Sequence, residues 1–156
     1  MTPKDFMRRA IDLASQGMRD GDGGPFGAVV VKDGRIVGER NNRVTSANDP
    51  TAHAEIGAIR AACRTLGTYS LDGCEIYTSC EPCPMCLAAI YWARIGRIYY
   101  ANSRADAARI GFDDDLIYNE IAKPLDRRAI PAERLLAEEA GETFAEWQKD
   151  PRFIRY

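Results

Sequence analysis

Two stretches of the sequence decide how this chain folds: Thr51-Ala52-His53-Ala54-Glu55 and Glu81-Pro82-Cys83-Pro84-Met85-Cys86. An imidazole and two thiolates are ligands that zinc prefers. Cys83 and Cys86 are three residues apart, so both sulfurs lie on one face of a helix that opens at a neighbouring proline. We therefore predict that His53 and the two cysteines bind one Zn²⁺ ion, and that two helix starts converge on it.

The number of ligands separates a catalytic site from a structural one. Three protein ligands leave the fourth tetrahedral position open to water, whereas structural zinc sites use four. Glu55 follows His53 by two residues, near the metal without being needed as a ligand, and this position suits a proton carrier. The cysteine pair alone is also typical of a structural zinc site or a redox motif. The other cysteines, Cys63, Cys74 and Cys80, form no second close pair, so the catalytic interpretation is favoured and we expect them to be small buried side chains.

The composition narrows the class of protein. The chain has 156 residues, enough for one domain, which we predict to span residues 1–156. Its formal net charge is -2 and its pI is about 5.5, so the basic surface of a nucleic-acid binder is missing and a small neutral substrate is favoured. The first residues contain no apolar run typical of a signal peptide or a membrane span. We therefore predict a cytoplasmic protein that binds neither nucleic acid nor membrane.

Hydrophobic periodicity predicts alternating helices and strands around the two stretches. Residues 51–66 have helical spacing, with Asp49 as the predicted cap and Pro50 at the first helical position. Asp33-Gly34 favours a tight hairpin, and the later strand-helix-strand order favours a parallel part of the sheet. The other predicted helices are 3–19, 84–93, 115–122 and 133–140, and the predicted strands are 26–32, 35–39, 75–79 and 97–101.

With these motifs the chain resembles the cytidine deaminase-like superfamily, whose zinc enzymes carry a His-x-Glu segment followed by Pro-Cys-x-x-Cys. Within it, the chain is most similar to the short bacterial guanine deaminases. The stretches that carry this closer resemblance are Gly-Gly-Pro-Phe-Gly-Ala at 23–28, Asn-Asn at 41–42, residues 48–55, residues 78–86, Ala-Ile-Tyr-Trp-Ala-Arg at 89–94, Gly-Phe-Asp-Asp at 111–114 and the tyrosine at 156.

The resemblance implies an α/β fold, a three-layer α/β/α sandwich with a mixed sheet of about five strands. It implies one Zn²⁺ per subunit, a purine as the small-molecule substrate, and hydrolysis of guanine to xanthine and ammonia. It also implies a homodimer in which a C-terminal segment, about residues 125–156, is exchanged between subunits.

The resemblance further implies roles that spacing does not assign. Phe26 would stack on the purine, Asn42 would hydrogen-bond the ring, and Asp114 would recognise its polar edge. Tyr156, arriving from the other subunit, would help to cap the site. In the mechanism that this activity suggests, the backbone amides of Ala54 and Cys83 are candidates to orient the ring or the attacking oxygen. Each residue by itself also has an ordinary structural interpretation: a core aromatic, a turn residue, a solvated acid, a frayed end.

Three other functions remain open at this point. A tRNA adenosine deaminase resembles the chain in both zinc motifs, although the acidic pI weighs against it. A deaminase of cytosine or of another small aminated ring would carry the same metal ligands. A non-catalytic, zinc-stabilised interaction domain would need a closed site with four ligands.

Overall fold

A single mixed sheet forms the centre of the fold. The computed structural model describes residues 1–156, and its strands are β1 (Gly27–Lys32), β2 (Arg35–Asn41), β3 (Cys74–Cys80) and β4 (Arg97–Asn102). The order is β2-β1-β3-β4, with β1 antiparallel to both neighbours and β3 parallel to β4. The predicted hairpin is confirmed, because Asp33 and Gly34 adopt φ of 49° and 72°, the positive values that such a turn requires.

The sheet has four strands, not the five or so that the resemblance implied. After β4 the chain turns directly into a helix, because Ser103 is its N-cap. The Ser103 hydroxyl accepts from the Asp106 N–H, and the Asp106 carboxylate accepts from the Ser103 N–H.

The helices of the chain are α1 (Pro3–Arg19), α2 (Val44–Ala47), α3 (Ala54–Leu66), α4 (Pro84–Trp92), α5 (Arg104–Arg109), α6 (Asp115–Ala122) and α7 (Ala137–Lys149), with a 3₁₀ turn at Leu125–Arg127. None of them combines the length and the apolar character needed to span a bilayer.

The predicted start of the third helix was wrong. We expected it to run from residue 51, but α3 begins at Ala54 with His53 as its N-cap. Asp49 does not cap it, because its carboxylate accepts from the N–H and the hydroxyl of Thr51, at 2.8 Å and 2.7 Å, and closes a local turn. His53 therefore lies just before the first helical turn, with extended backbone.

The predicted helix at 133–140 was also wrong, since α7 spans Ala137–Lys149. Leu136, just before it, has a left-handed φ of 50°. Gly141 lies inside the helix, at a cost of roughly 1 kcal/mol relative to alanine. The chain forms two compact units, Met1–Asp114 and Asp115–Tyr156. The first unit contains the whole sheet.

The first unit has the predicted three layers. Successive residues of β1 point to opposite faces of the sheet, as the two-residue period of a strand requires. Ala28 and Val30 join a buried cluster with α3 and α4, and Val29 and Val31 join a second cluster with α1. The sheet is thus covered by α1 on one side and by α3 and α4 on the other.

Small residues bring α3 close to the sheet. Its buried face consists largely of alanine, at positions 54, 58 and 62. Gly38 of β2 lies opposite, and a Cβ atom there would approach the Ala58 carbonyl oxygen to 2.3 Å and the Ala62 amide nitrogen to 2.5 Å. Because helix backbone cannot yield to such an overlap, Gly38 sets the distance between α3 and the sheet.

We expect Gly38→Ala to lower the free energy of unfolding by about 1–3 kcal/mol, since the added methyl group overpacks the contact with α3. Gly96→Ala is the matched control, because its Cβ would lie an ordinary 3.7 Å from the Cys74 carbonyl oxygen. Urea unfolding of both variants measures the difference. Equal stability of the two variants would contradict the proposed close contact.

Candidate metal centre and active site

The three predicted metal ligands come together where α3 and α4 begin. His53 is the N-cap of α3, Cys83 is the N-cap of α4, and Cys86 lies in the first turn of α4. The Nδ1 atom of His53 lies 3.6 Å from the Cys83 sulfur and 3.5 Å from the Cys86 sulfur. The predicted convergence of two helix starts is therefore confirmed.

These distances suit zinc. A tetrahedral ion with a Zn–N bond of about 2.0–2.1 Å and a Zn–S bond of about 2.3 Å holds the nitrogen and the sulfur roughly 3.5–3.6 Å apart. The two observed separations agree with that value. Nδ1 is the ring nitrogen directed at both sulfurs, so it is the imidazole atom placed to bind the ion.

The group that could hold the ion has three residues, and its ligand atoms all lie within 4.8 Å of one another. Cys80, at the end of β3, is not among them, and its sulfur lies 3.8 Å from the carbonyl oxygen of Ser103. A closed structural site needs a fourth side chain. The arrangement therefore matches the open, catalytic type of zinc site.

The local electrostatics favour a cation. A hydrogen bond with the Cys86 thiol, assisted by His53, lowers the pKa of Cys83 to about 4. The Cys86 pKa is raised, chiefly by that same hydrogen bond and by burial. Hydrogen bonding to Cys83 raises the pKa of His53. The lowered pKa favours the thiolate form of Cys83 at the start of α4, where backbone N–H groups stabilise negative charge.

Glu55 is buried beside the three ligands. It is the second residue of α3, is 7% exposed, and has the Cys86 side chain within hydrogen-bonding reach. Desolvation raises the pKa of its carboxyl group, and the charge of Cys83 adds to the effect. A buried carboxyl whose pKa is raised can hold a proton and release it, as a general acid and base must.

Phe26 and Asn42 lie next to the segment that leads to His53. The Asn42 N–H donates to the Phe26 carbonyl oxygen at 2.9 Å, and the Arg43 N–H donates to the Ala52 carbonyl oxygen at 3.0 Å. Phe26 is half-buried and meets Phe112 edge to face, with ring centroids 4.9 Å apart. Sequence reasoning assigned no role to Phe112, although it belongs to the quoted stretch 111–114.

Asp114 is partly buried near the end of β3. Its carboxylate lies 3.9 Å from the Arg104 guanidinium. The pKa of Cys80 is raised chiefly by burial, then by the charge of Glu55, and then by the charge of Asp114, which indicates that Asp114 lies near Cys80. The Arg104 N–H in turn donates to the Glu81 carboxylate at 3.0 Å. Arg104 and Glu81 thus link Asp114 to the stretch that carries the cysteines, a connection that sequence spacing did not indicate.

Tyr156 belongs to the second unit and is 71% exposed in the single chain. Its role across a dimer stays a prediction, as does the exchange of residues 125–156.

The profile of the family described as the cytidine and deoxycytidylate deaminase zinc-binding region matches residues 1–102. The guanine deaminase of Bacillus subtilis is 55% identical over 95% of both chains. A crystal structure of guanine deaminase from the same species superposes with a TM-score of 0.96 and 52% identity, covering 100% of this chain and 99% of the other. A tRNA-specific adenosine deaminase of Aquifex aeolicus is 36% identical over 94% of both chains.

The matched residues 1–102 include all three metal ligands and Glu55, so the resemblance lies in the chemistry of the site as well as in the fold. The chain belongs to the cytidine deaminase-like family of zinc-binding deaminases.

Proposed function

We propose that this chain is a zinc-dependent guanine deaminase that converts guanine and water to xanthine and ammonia. The observation that carries the proposal is the three-residue cluster of His53, Cys83 and Cys86 beside the buried Glu55. The 55% identity to the guanine deaminase of Bacillus subtilis over nearly all of both chains supports guanine as the substrate.

His53 Nδ1 and the two cysteine sulfurs would hold the ion. Zinc bound there supplies a Lewis acid that lowers the pKa of water toward neutrality. Glu55 accepts the proton that water gives up as the water oxygen bonds to C2 of the purine and the C2=N3 π electrons move to N3. The same carboxyl then donates that proton to the amino nitrogen. The C2–amino bond breaks as the C2=N3 double bond re-forms, ammonia leaves, and the hydroxyl tautomer of xanthine that remains converts to xanthine.

Other residues orient the purine. Phe26 supplies an aromatic face for stacking, and the Asn42 side chain hydrogen-bonds the ring. Asp114 accepts from N–H groups on the polar edge, held by Arg104. The Ala54 N–H, at the start of α3 where backbone amides have no partner within the helix, orients the ring or the attacking oxygen.

The wider setting in our proposal is a cytoplasmic homodimer with residues 125–156 exchanged, in which Tyr156 of one subunit covers the site of the other. Exposed aromatic side chains support association: Tyr91 and Trp92 on α4 and Tyr100 on the edge strand β4 would each be stabilised by burial in an interface. All five cysteines are free, which suits a reducing compartment.

The proton-carrier role predicts a large loss of turnover in Glu55→Gln. We expect kcat for ammonia release from guanine to fall by about 10²-fold or more, since Gln cannot take up a proton, while bound zinc stays at one ion per chain. Glu75→Gln on β3 is the control, and its kcat should equal that of the wild type. Retained turnover in the Glu55 variant would remove the assigned role.

Metal removal distinguishes the enzyme from an interaction domain. Titration with a chelator should abolish ammonia release while circular dichroism still shows the folded chain, and added Zn²⁺ should restore activity, because the core of the first unit does not depend on the ion. Unfolding in step with zinc loss would instead indicate a structural metal site.

A substrate panel separates guanine from the rival substrates. Ammonia release should be fastest from guanine among guanine, adenine, cytosine, cytidine and ammeline, and should change little between low and high salt, because the substrate is neutral. An anticodon stem-loop RNA should not react. Faster, salt-sensitive deamination of that RNA would favour a tRNA adenosine deaminase.

A further inference from the structure

The turn formed by residues 22–24 contacts two of the proposed purine-binding side chains, Phe26 and Asn42. Its glycines lie against them: a Cβ atom at Gly23 would come within 2.3 Å of Asn42 Oδ1, and one at Gly24 within 3.0 Å of the Phe26 ring. Neither glycine has a positive φ. The requirement for glycine here is therefore close approach to side chains and not backbone conformation.

The same turn determines the orientation of the Asn42 carboxamide. The Oδ1 atom accepts from the Gly24 N–H at 3.2 Å and from the Val44 N–H at 3.1 Å. Two N–H donors require an acceptor, which identifies the oxygen and the nitrogen of the amide without ambiguity. A carbonyl oxygen has two lone pairs, and both are used, so only the Nδ2 amide hydrogens can bond a ligand.

The turn is held in place from its other side. The Asp22 carboxylate accepts from Asn41 Nδ2 at 2.8 Å, and its backbone carbonyl accepts from the Ser46 hydroxyl at 2.6 Å. Asn42 itself is only 5% exposed. A buried carboxamide held by backbone amides on a fixed turn cannot rotate to exchange its donor and acceptor ends without leaving two N–H groups unpaired.

We propose that the turn at residues 22–24 is a specificity element: it holds Asn42 as a hydrogen-bond donor only, so the site selects a purine that presents an acceptor at this position. This inference rests on the proposed function. Gly23 and Gly24 are positioning residues, and Asn42 is the group that touches the substrate.

Asn42→Asp tests the polarity of this contact. A carboxylate oxygen can still accept from Gly24 and Val44, so the variant keeps its fold, but it offers the ligand an acceptor in place of a donor. We expect KM for guanine to rise by about 100-fold, and by less in Asn42→Ala, which removes the donor without setting two acceptors against each other. Zinc content and the melting temperature of the Asp variant should equal those of the wild type, since its carboxylate keeps both acceptor contacts. An Asn42→Asp protein with the KM of the wild type would overturn the inference.

Gly23→Ala tests the turn itself. Since its methyl group displaces residue 42 but not the metal ligands, KM should rise about tenfold or more while kcat falls less than about threefold. Gly96→Ala is the control and should leave both constants unchanged. A Gly23→Ala protein whose kcat and bound zinc fall with no change in KM would contradict a role in substrate positioning.

Calorimetry with 8-azaguanine, on the inactive Glu55→Gln background, gives a readout independent of turnover. Affinity should decrease in the order unmodified Asn42, Asn42→Ala, Asn42→Asp. If the wild-type chain does not deaminate guanine, the proposed function fails. If it does, and the Asp variant binds as tightly as the unmodified side chain, the inference alone fails.

Discussion

The convergence of two helix starts on one point is the constraint on which the rest of the site depends. His53 and Cys83 each occupy the residue immediately before a helix, where the backbone is still extended and the side chain projects beyond the helix end. Both helices lie on the same face of the sheet. The unpaired backbone N–H groups of the first turns of α3 and α4 lie at the ends where the ligands are, so the backbone stabilises the negative charge of a thiolate there.

This geometry also explains why one short segment can supply both a ligand and a proton carrier. From the N-cap, His53 reaches outward to the metal, whereas Glu55 in the first turn of α3 points into the protein, where desolvation raises its pKa. Two residues of separation thus place a half-buried imidazole and a buried carboxyl at the same helix start. His53 can therefore bind the metal while Glu55 transfers the proton, and the two side chains do not compete for one coordination position.

Sequence reasoning predicted that His53, Cys83 and Cys86 lie together, and it predicted the succession of strands and helices along the chain up to β4. Both follow from local patterns, namely ligand spacing and hydrophobic periodicity. Sequence reasoning failed where competing local signals were present. Asp49 and Pro50 resemble a helix start, yet Thr51 satisfies the Asp49 carboxylate and postpones α3 to Ala54. The donor orientation of Asn42 could not be predicted, since it depends on Gly24 and Val44, which approach the side chain only in the folded chain.

The alanine face of α3 has a mechanical consequence. The fully buried apolar residues of α3 are alanines, and Gly38 of β2 lies against two of them, so the backbones of helix and sheet lie close together with little room for rearrangement. The His53 imidazole, at the N-terminal end of α3, is therefore positioned by a closely packed layer. On heating, the distances from His53 Nδ1 to the sulfurs of Cys83 and Cys86 should therefore change little until the first unit unfolds cooperatively.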